Sequence, residues 1–398
     1  MELRCITPPK YVIRVLTRLE NHGYSAYMVG GCVRDLVMNR HPNDWDVCTS
    51  ALPEEVMSVF PRTYPTGIKH GTVTVVENGY TVEVTTYRAD GDYIDHRHPE
   101  SVQFIRDIKG DLERRDFTMN SLAFPLSGLI YDPFNGIDDI ENKLIRCVGD
   151  PEKRFNEDAL RMLRALRFSA VLGFEIEKNT LSSIKKNSAL AASLARERIS
   201  SELEKILLSN SPQVLSNLIG FGLLSGIVNK RIPEIDFTML RTLPKNRSQR
   251  WAGFCSILLQ NDLIDDAEKF MINLRLDSSV TQNVSAGVNL AFSKAPTDKT
   301  GWKKLISRNG TDIAKCAAAA CEALYGRGYI RTLRSVSSSG ECCSLKQLSV
   351  SGEDLLALGF RGPELGKTLF SLLDHVIVYP DENEKNILLG IAGNMKLG

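Results

Sequence analysis

The pattern of apolar and polar positions divides the chain near residue 145. Before that point, short alternating runs rich in valine and threonine stand between stretches of helical period. Alternation is typical of strands with one buried face, whereas apolar residues three and four positions apart indicate an amphipathic helix. Residues 10–22 have the helical spacing, and two strands are predicted over 24–29 and 44–48, with a short helix over 33–38 between them.

A β-hairpin is the clearest local prediction. The β-branched runs 71–77 and 80–88 flank Asn78 and Gly79, and Asn-Gly is a strong signal for a two-residue hairpin turn. Glu83 falls in the middle of the second strand. It would lie beside the preceding strand if the sheet is continuous.

Four further segments complete the N-terminal part. Residues 89–100 are polar and are predicted to form a mobile loop, followed by a strand over 102–105. A helix is predicted to open within 114–120, and a last strand to cover 129–131.

After residue 145 the predicted strands stop. Residues 157–170 and 198–208 have helical periodicity, and similar runs continue to the end, with a serine-rich linker predicted at 335–340. A chain of 398 residues is too long for one ordinary core. The pattern therefore predicts an N-terminal α+β domain followed by all-α domains.

Composition limits the class of protein. Apolar residues make up 43% and charged residues 24%, which is ordinary for a soluble globular protein, and the net charge of +1 excludes a global basic field. Nine cysteines without a C-x-x-C pair indicate reduced thiols in the cytoplasm. No apolar run approaches about 18 residues, so we expect no membrane partner.

Two carboxylates, Asp44 and Asp46, are the first candidates for chemistry. On a strand, residues i and i+2 share a face, and paired carboxylates repel each other unless a cation lies between them. Mg²⁺ binds carboxylate and phosphate oxygens together, and two such ions would suit phosphoryl transfer. An ordinary acidic turn is the alternative. Glu83 is the candidate third carboxylate, or else an exposed strand glutamate.

A glycine pair precedes these carboxylates. Gly30 and Gly31 allow the backbone to approach phosphate oxygens and to present N–H donors at a helix start, although a tight turn is the alternative. Arg34 lies about one helical turn further on and can reach the same phosphates, unless it forms only a surface salt bridge.

The segment from 157 to 168 carries an unusual set of charges. Arg161 and Arg164 share the face opposite the apolar one, and Asp158 and Arg167 lie at its borders. Asp158 and Arg161 are three positions apart, so they can act as a unit that accepts from and donates to a base edge. Such a pair suits cytosine and adenine and penalises uracil and guanine, unless this is merely a solvated basic face.

Arginines outside the pair complete this set. Arg164 and Arg167 would serve phosphate or ribose, and Arg114 and Arg115 add cation near the same site.

Taken together, these segments resemble the class II tRNA nucleotidyltransferase and bacterial poly(A) polymerase family. The resemblance rests on five motifs in order: G-G-x-V-R-D (30–35), D-W-D (44–46), E-V-T-T-Y-R (83–88), R-R-D-F-T-M-N (114–120) and E-D-A-L-R-M-L-R-A-L-R-F (157–168). It implies a polymerase-β-like nucleotidyltransferase head at 1–145, then all-α neck (146–208), body (209–275) and tail (276–398) domains, the tail binding tRNA.

The resemblance also implies roles for the candidate residues. Asp44 and Asp46 would hold Mg²⁺, with Glu83 as a further catalytic carboxylate. The base would be read by Asp158 and Arg161. The remaining nucleotide contacts would come from Gly30, Gly31, Arg34, Arg115, Arg164 and Arg167.

The implied activity is template-independent addition of C, C and A to the tRNA 3′ end from CTP and ATP. A CC-adding or A-adding specialist, a poly(A) polymerase and a catalytically inactive RNA-binding relative are the alternatives. In this family a head-domain loop is needed to add A after C, and 89–100 resembles it. Lys303, Lys304 and 245–250 are candidate phosphate contacts, with solvated surface as the alternative. The sequence leaves the oligomeric state open.

Overall fold

The protein is described by a computed structural model that covers residues 7–91, 102–230, 234–326 and 328–397. The chain forms two compact units. The first comprises Met1–Glu202, Asn217–Gly226 and Ile232–Glu234, and the second comprises Leu203–Ser216, Ile227–Arg231 and Ile235–Gly398. The finer division into head, neck, body and tail stays a prediction.

The first unit contains a mixed sheet and a set of helices. Its strands are β1 (Ala26–Val29), β2 (Asp46–Thr49), β3 (Thr63–Gly67), β4 (Thr72–Glu77), β5 (Tyr80–Thr86), β6 (Arg88–Asp90), β7 (Val102–Phe104), β8 (Ala123–Phe124), β9 (Leu144–Ile145) and β10 (Glu175–Ile176). Its helices are α1 (Lys10–Asn21), α2 (Gly31–Val37), α3 (Pro53–Val59), α4 (Ile108–Glu113), α5 (Gly136–Glu141), α6 (Pro151–Glu157), α7 (Leu160–Leu172) and α8 (Lys178–Asn187). Two more helices, α9 (Arg196–Leu207) and α10 (Leu215–Phe221), have residues in both units.

The main sheet has the strand order β3-β4-β5-β2-β1-β8. The predicted hairpin is confirmed as β4 and β5, and Asn78 and Gly79 have the positive φ values, 53° and 83°, that its turn requires. Strand β2 runs parallel to β5, with Asp46 level with Glu83. The predicted continuity of the sheet is therefore confirmed, and it brings these two carboxylates together.

Three predicted elements of this unit are wrong in detail. The second strand begins at Asp46, so Asp44 precedes it in a bend. The helix predicted to open within 114–120 is reduced to one 3₁₀ turn at Thr118–Asn120, because α4 ends at Glu113 and Phe117 bridges to Cys147. The strand predicted over 129–131 is replaced by β8 at Ala123–Phe124, to which residue 131 contributes only an isolated bridge.

The helix predicted over 157–170 is interrupted at its start. Asp158 has an extended backbone, with φ −141° and ψ 103°, and separates α6 from α7. Its Oδ1 accepts a hydrogen bond from the backbone N–H of Leu160 at 3.0 Å. Aspartate is well suited to such capping, so the side chain ends one helix and begins the next.

The second unit is helical throughout its described residues, apart from turns and loops. Its helices are α11 (Arg247–Gln260), α12 (Ala267–Asn273), α13 (Ser278–Lys294), α14 (Lys299–Asn309), α15 (Thr311–Tyr325), α16 (Tyr329–Ser338), α17 (Gly352–Ala357), α18 (Gly362–Val378) and α19 (Lys385–Leu397). Close packing of α13 on α15 depends on Gly287, because a Cβ there would lie 2.5 Å from the Cβ of Cys316. The predicted fold class, an α+β head followed by a largely helical region, is confirmed.

Two sequence predictions in this unit are wrong. Most of the predicted serine-rich linker continues α16 to Ser338, whose hydroxyl donates to the carbonyl of Arg334, and only Ser339 and Gly340 lie beyond the helix. Lys303 is only 4% exposed and pairs with Glu341, and Arg250 is 2% exposed and donates to backbone carbonyls. These two cations are therefore neither solvated nor placed for phosphate contact.

Candidate functional site

One cavity of about 560 Å³ in the first unit gathers nearly all the predicted site residues. It is lined by Gly30, Gly31, Arg34, Asp44, Asp46, Arg114, Arg115, Asp116, Asn120, Asp158, Arg161, Arg164, Arg167 and Phe168. Glu83 lies outside this lining but neighbours Asp46 on the adjacent strand. The volume is in the range of small-molecule sites, and the lining is dominated by charge, which suits a polyanionic ligand.

Three carboxylates form the acidic side of the site. Asp44, Asp46 and Glu83 are exposed, and the last two occupy paired positions on β2 and β5. Partial burial raises the pKa of Asp46, and the neighbouring charges of Glu83 and Asp44 raise it further, against the opposing effect of Arg115. This corner therefore holds excess negative charge that a bound cation would neutralise.

The described residues contain no cluster of three or more His, Cys, Asp or Glu side chains arranged to hold a metal ion. Two aspartates nevertheless fit a Mg²⁺ ion, which commonly binds through one or two carboxylates together with water and substrate phosphates.

The glycine pair shapes the phosphate side of the cavity. Gly30 has φ 74° and immediately precedes α2. A Cβ at this position would lie 2.9 Å from a terminal nitrogen of Arg115. Glycine is needed here on both counts, since it tolerates the positive φ and leaves room for the guanidinium.

Two arginines beside the glycines are held by polar partners. Arg34 donates to Asp35 at 2.7 Å and to the Oδ1 of Asn120 at 2.9 Å. Arg115 donates to the buried Asp111 at 3.1 Å. The Nε of Arg115 is buried and finds no partner among the described residues, so this cation has an unused donor.

Asp116 and Arg164 form a tight ion pair, with 2.6 Å between carboxylate oxygen and guanidinium nitrogen. Burial alone would raise the pKa of Asp116, but Arg164 and the donors around it outweigh burial and lower the pKa to about 2. A carboxyl group whose folded pKa lies below its unfolded value stabilises the fold above the unfolded pKa. That contribution is lost as the pH falls through the folded value.

We therefore expect the Asp116→Asn variant to lose less stability than wild type as the pH falls from about 4 to 2. At pH 7 it should be less stable by about 2 kcal/mol, in line with the depressed carboxyl pKa. Urea unfolding at a series of pH values measures both effects. Asp138→Asn, on an exposed position of α5, is the matched control, and equal acid sensitivity of all three proteins would contradict the prediction.

The ring of Phe168 contacts three guanidinium groups. The guanidinium carbons of Arg167, Arg34 and Arg164 lie 3.5, 5.3 and 5.4 Å from its centroid. The ring itself is fixed by an edge-on contact with Phe117, with centroids 5.8 Å apart. One buried aromatic ring thus contacts cations from two separate helices beside the cavity.

Replacing Phe168 with leucine should raise the KM for the nucleotide that the sequence predicts as substrate by roughly tenfold, since each cation–π contact contributes about 0.5–2 kcal/mol to the placement of its arginine. The turnover number should change less. Steady-state kinetics with varied nucleotide concentration measure KM and the turnover number separately. Phe155→Leu is the matched control, because Phe155 is also fully buried in the neighbouring helix α6. An equal rise in KM for both variants would reduce the role of Phe168 to general packing.

The side chains of the predicted base-reading pair bind separate partners in this structure. Asp158 accepts a two-pronged pair from Arg198, at 2.7 and 3.2 Å. Arg161 donates to Glu157 at 2.7 Å and to the carbonyl of Arg114 at 2.8 Å. Arg161 is only 8% exposed, so the alternative of a solvated basic face is wrong for this residue. Both side chains line the cavity, and their joint reading of a base stays a prediction.

Several residues of this site were not singled out from the sequence. Asn120 and Phe168 belong to the motifs quoted above, but their residue types suggested no chemistry. Arg198 is 40 positions from Asp158 and gave no signal, since only the fold brings α9 to this helix break. Residues 92–100 of the predicted mobile loop lie outside the described residues, so the loop stays a prediction.

Strands β2 and β5 pair in parallel and present carboxylates beside an arginine-lined cavity. This arrangement is typical of a polymerase-type nucleotidyltransferase. Residues 26–146 match the family described as "Poly A polymerase head domain", and residues 173–238 match "Probable RNA and SrmB- binding site of polymerase A". The class of protein is thus an enzyme that transfers nucleotidyl groups.

The relatives narrow this class. The chain is 36% identical over 388 residues to a CCA-adding enzyme of Geobacillus sp. (strain WCH70), covering 95% of each chain. It is 36% identical to the CCA-adding enzyme of Limosilactobacillus fermentum, covering 96% of each. The solved CCA-adding enzyme of Bacillus stearothermophilus in complex with CTP superposes with a TM-score of 0.80 at 33% identity, covering 98% of this chain and 99% of that one. The chain belongs to the CCA-adding enzyme family, and the predicted resemblance is confirmed.

None of the helices in the described part of the chain is both long and apolar enough to span a bilayer.

Proposed function

We propose that the protein adds C, C and A in turn to the 3′ end of tRNA, using CTP and ATP and releasing pyrophosphate. One observation carries this proposal: a single cavity is lined both by the carboxylates Asp44 and Asp46 and by the polar pair Asp158 and Arg161. Groups for phosphoryl transfer and groups for a base edge thus lie around one nucleotide-sized space. The names of the relatives, and the CTP complex of one of them, support the same substrates.

In the proposed reaction, the 3′-hydroxyl oxygen of the tRNA loses its proton to solvent and forms a bond to the α-phosphorus of the nucleotide. The bond from this phosphorus to the bridging oxygen breaks in line with the attack, and pyrophosphate leaves with the bonding electrons. The backbone at Gly30 and Gly31, together with Arg34 and Arg115, would hold the triphosphate. Its charge would be balanced further by Arg164 and Arg167.

Asp44 and Asp46 would hold Mg²⁺, with Glu83 beside them. When bound, Mg²⁺ supplies Lewis-acid stabilisation of the charge that develops on the phosphate oxygens. Burial is the main cause of the raised pKa of Asp46, and the charges of Glu83 and Asp44 raise it further; this local excess of negative charge supports the assignment. A second ion, as in a two-metal mechanism, stays a prediction.

Base selection would come from the protein and not from a template strand. Asp158 would accept the amine proton of cytosine or adenine, and Arg161 would donate to the neighbouring ring nitrogen. In the described residues, the Oδ2 of Asp158 accepts only from Arg198, so it retains a lone pair for a base. Arg198 would then orient the carboxylate while the nucleotide is read.

The helical region would bind the tRNA through its shape and phosphates. A cytoplasmic location is proposed as well. The eight cysteines in the described residues are all free, as expected in a reducing compartment.

Incubation with a tRNA that lacks its 3′ CCA tests the proposal. The tRNA receives CTP alone, ATP alone or both, in the presence of Mg²⁺, and the product lengths are resolved on a sequencing gel. We expect two added residues with CTP alone and three with both.

Other products would contradict CCA addition and identify the alternative. A stop after two residues with both nucleotides indicates a CC-adding specialist, and addition only to tRNA already ending in CC indicates an A-adding specialist. A long ladder with ATP alone indicates a poly(A) polymerase. Binding of tRNA without any product indicates an inactive RNA-binding relative.

A further inference from the structure

A carboxylate buried behind the cavity holds two of the arginines that line it. Asp111, on α4, is fully buried and is not part of the cavity lining. Its Oδ1 accepts from Nε and a terminal nitrogen of Arg114, at 3.0 and 2.7 Å, and its Oδ2 accepts from Arg115 at 3.1 Å. Each oxygen thus serves a different guanidinium group, and both arginines line the cavity.

The carboxylate of Asp111 is itself fixed by the backbone. The N–H of Arg88, at the start of β6, donates to Oδ1 of Asp111 at 3.3 Å, and Arg114 donates in turn to the carbonyl of Arg88 at 3.1 Å. Burial alone would raise the pKa of Asp111, but the charges of Arg115 and Arg114 outweigh burial and lower the pKa. Asp111 is therefore a charged acceptor that is held in one orientation inside the protein.

Arg115 retains donors for a ligand. Within the described residues, Asp111 is its only hydrogen-bond acceptor and engages one terminal nitrogen. The Nε of Arg115 is buried without a partner there, and its other terminal nitrogen would lie 2.9 Å from a Cβ at position 30. The guanidinium therefore extends from Asp111 to the glycine turn at Gly30, where the triphosphate is proposed to bind.

We propose that Asp111 is a positioning residue for the triphosphate, which holds Arg114 and Arg115 so that their remaining donors serve the phosphates of the incoming nucleotide. The inference rests on the proposed function, since that function brings a nucleoside triphosphate into the cavity. Asp111 itself touches no substrate, because it is fully buried and lies outside the lining. It acts by ordering two flexible side chains in advance, so less conformational freedom is lost when the nucleotide binds.

The variant Asp111→Asn keeps the shape of the side chain but leaves one oxygen for two guanidinium groups. The amide nitrogen that replaces the other oxygen is a donor, so it cannot hold the second arginine. We expect the affinity of the full-length protein for CTP to fall by roughly tenfold, because a charge-assisted hydrogen bond to one arginine is lost. Equilibrium titration with Mg²⁺ and without tRNA measures this loss.

Two further ligands separate positioning of the phosphates from general damage. Inorganic pyrophosphate carries phosphates but no base, so its affinity should fall by a factor similar to that of CTP. The ratio of the affinities for CTP and UTP should stay within about twofold of wild type, because the groups proposed to read the base are unchanged. A merely structural role of Asp111 would disturb this ratio together with the affinities.

Asp139→Asn is the matched control. Asp139, on α5, is also buried, accepts from Thr118 at 2.6 Å and from Arg146 at 3.1 Å, and lies outside the cavity lining. Its loss therefore reports the general effect of neutralising a buried carboxylate that holds an arginine. Its affinities for CTP and pyrophosphate should remain within about twofold of wild type.

Three results would overturn the positioning role. The first is wild-type affinity for pyrophosphate in Asp111→Asn, and the second is an equal loss of affinity in Asp139→Asn. The third is a collapse of the ratio between CTP and UTP. Failure of wild type to extend the tRNA would refute the proposed function separately, because these titrations contain no tRNA.

Two more variants keep the proposal testable if Asp111→Asn does not fold. Asp111→Glu retains the charge but moves both oxygens by one methylene group, so it should also weaken pyrophosphate binding, and wild-type affinity in this variant would overturn the proposal. Arg115→Met removes one of the two cations that Asp111 holds. Asp111→Asn should then add little further loss, because the remaining oxygen suffices for Arg114, and full additivity of the two losses would contradict action through Arg115.

Discussion

The Asp46→Asn variant is expected to add nucleotides at least about a thousandfold more slowly than wild type, while it still binds tRNA. Asp46 is the only one of the three carboxylates that both opens a strand of the sheet and lines the cavity. Removing its charge removes the proposed cation ligand. Lewis-acid stabilisation of a phosphoryl transition state amounts to several kcal/mol, and each 1.4 kcal/mol is about tenfold in rate. Single-turnover extension of tRNA at saturating CTP and Mg²⁺ measures the loss.

The stability of this variant separates chemistry from folding. Asp46 lies beside Glu83 and near Asp44, so loss of its charge relieves repulsion and the melting temperature should not fall. Asp138→Asn is again the matched control, and its rate should remain within about twofold of wild type. Turnover by Asp46→Asn within tenfold of wild type would remove Asp46 from the proposed catalytic set.

The elements governed by local chemistry were predictable from the sequence. The turn at Asn78 and Gly79 defines the hairpin, and the alternating pattern of both strands then determines which residues face the core. Because Glu83 falls on one of these strands, its place beside Asp46 needed only the assumption that the sheet is continuous. The structure confirms that assumption.

Predictions failed where partners distant in sequence determine the conformation. The stretch at Phe117 has a helix-compatible pattern, but its backbone pairs with Cys147, 30 positions away. Lys303 was grouped with surface cations, yet the fold buries it against Glu341. Neither partner can be identified from the spacing of residues along one sequence.

For the predicted base-reading residues, the chemistry followed from the residue types, but the conformation depends on partners elsewhere in the chain. The residue types Asp158 and Arg161 indicated hydrogen bonding to a base, and helical spacing suggested that they act as a unit on one helix. Asp158 instead breaks the helix, and Arg198 and Glu157 take up the two side chains separately. Asp158 and Arg161 are thus each held by a separate partner. Selectivity is therefore expected to depend on residues that need not touch the nucleotide.

Substitution of Arg198 by methionine should therefore reduce discrimination against U and G by roughly tenfold to a hundredfold. The ion pair with Arg198, at 2.7 and 3.2 Å, holds both oxygens of Asp158 in one orientation. Without it, the carboxylate can rotate, so it accepts less selectively from the amine of cytosine or adenine. A bidentate recognition of one base edge contributes about 1–3 kcal/mol of discrimination, which sets the expected range. Competition between CTP and UTP, and between ATP and GTP, measures the effect.

Three further variants identify which residue reads the base. Asp158→Ala removes the acceptor itself, so it should reach at least the misincorporation of Arg198→Met, and the double variant should add little because both act through one carboxylate. Arg196→Met, on helix α9 like Arg198, is the matched control, since Arg196 donates to the carbonyl of Gly226 and not to Asp158 or Arg161. If Arg198→Met keeps full selectivity while Asp158→Ala loses it, the carboxylate reads the base without orientation by Arg198. If both keep full selectivity, the base is read elsewhere in the cavity.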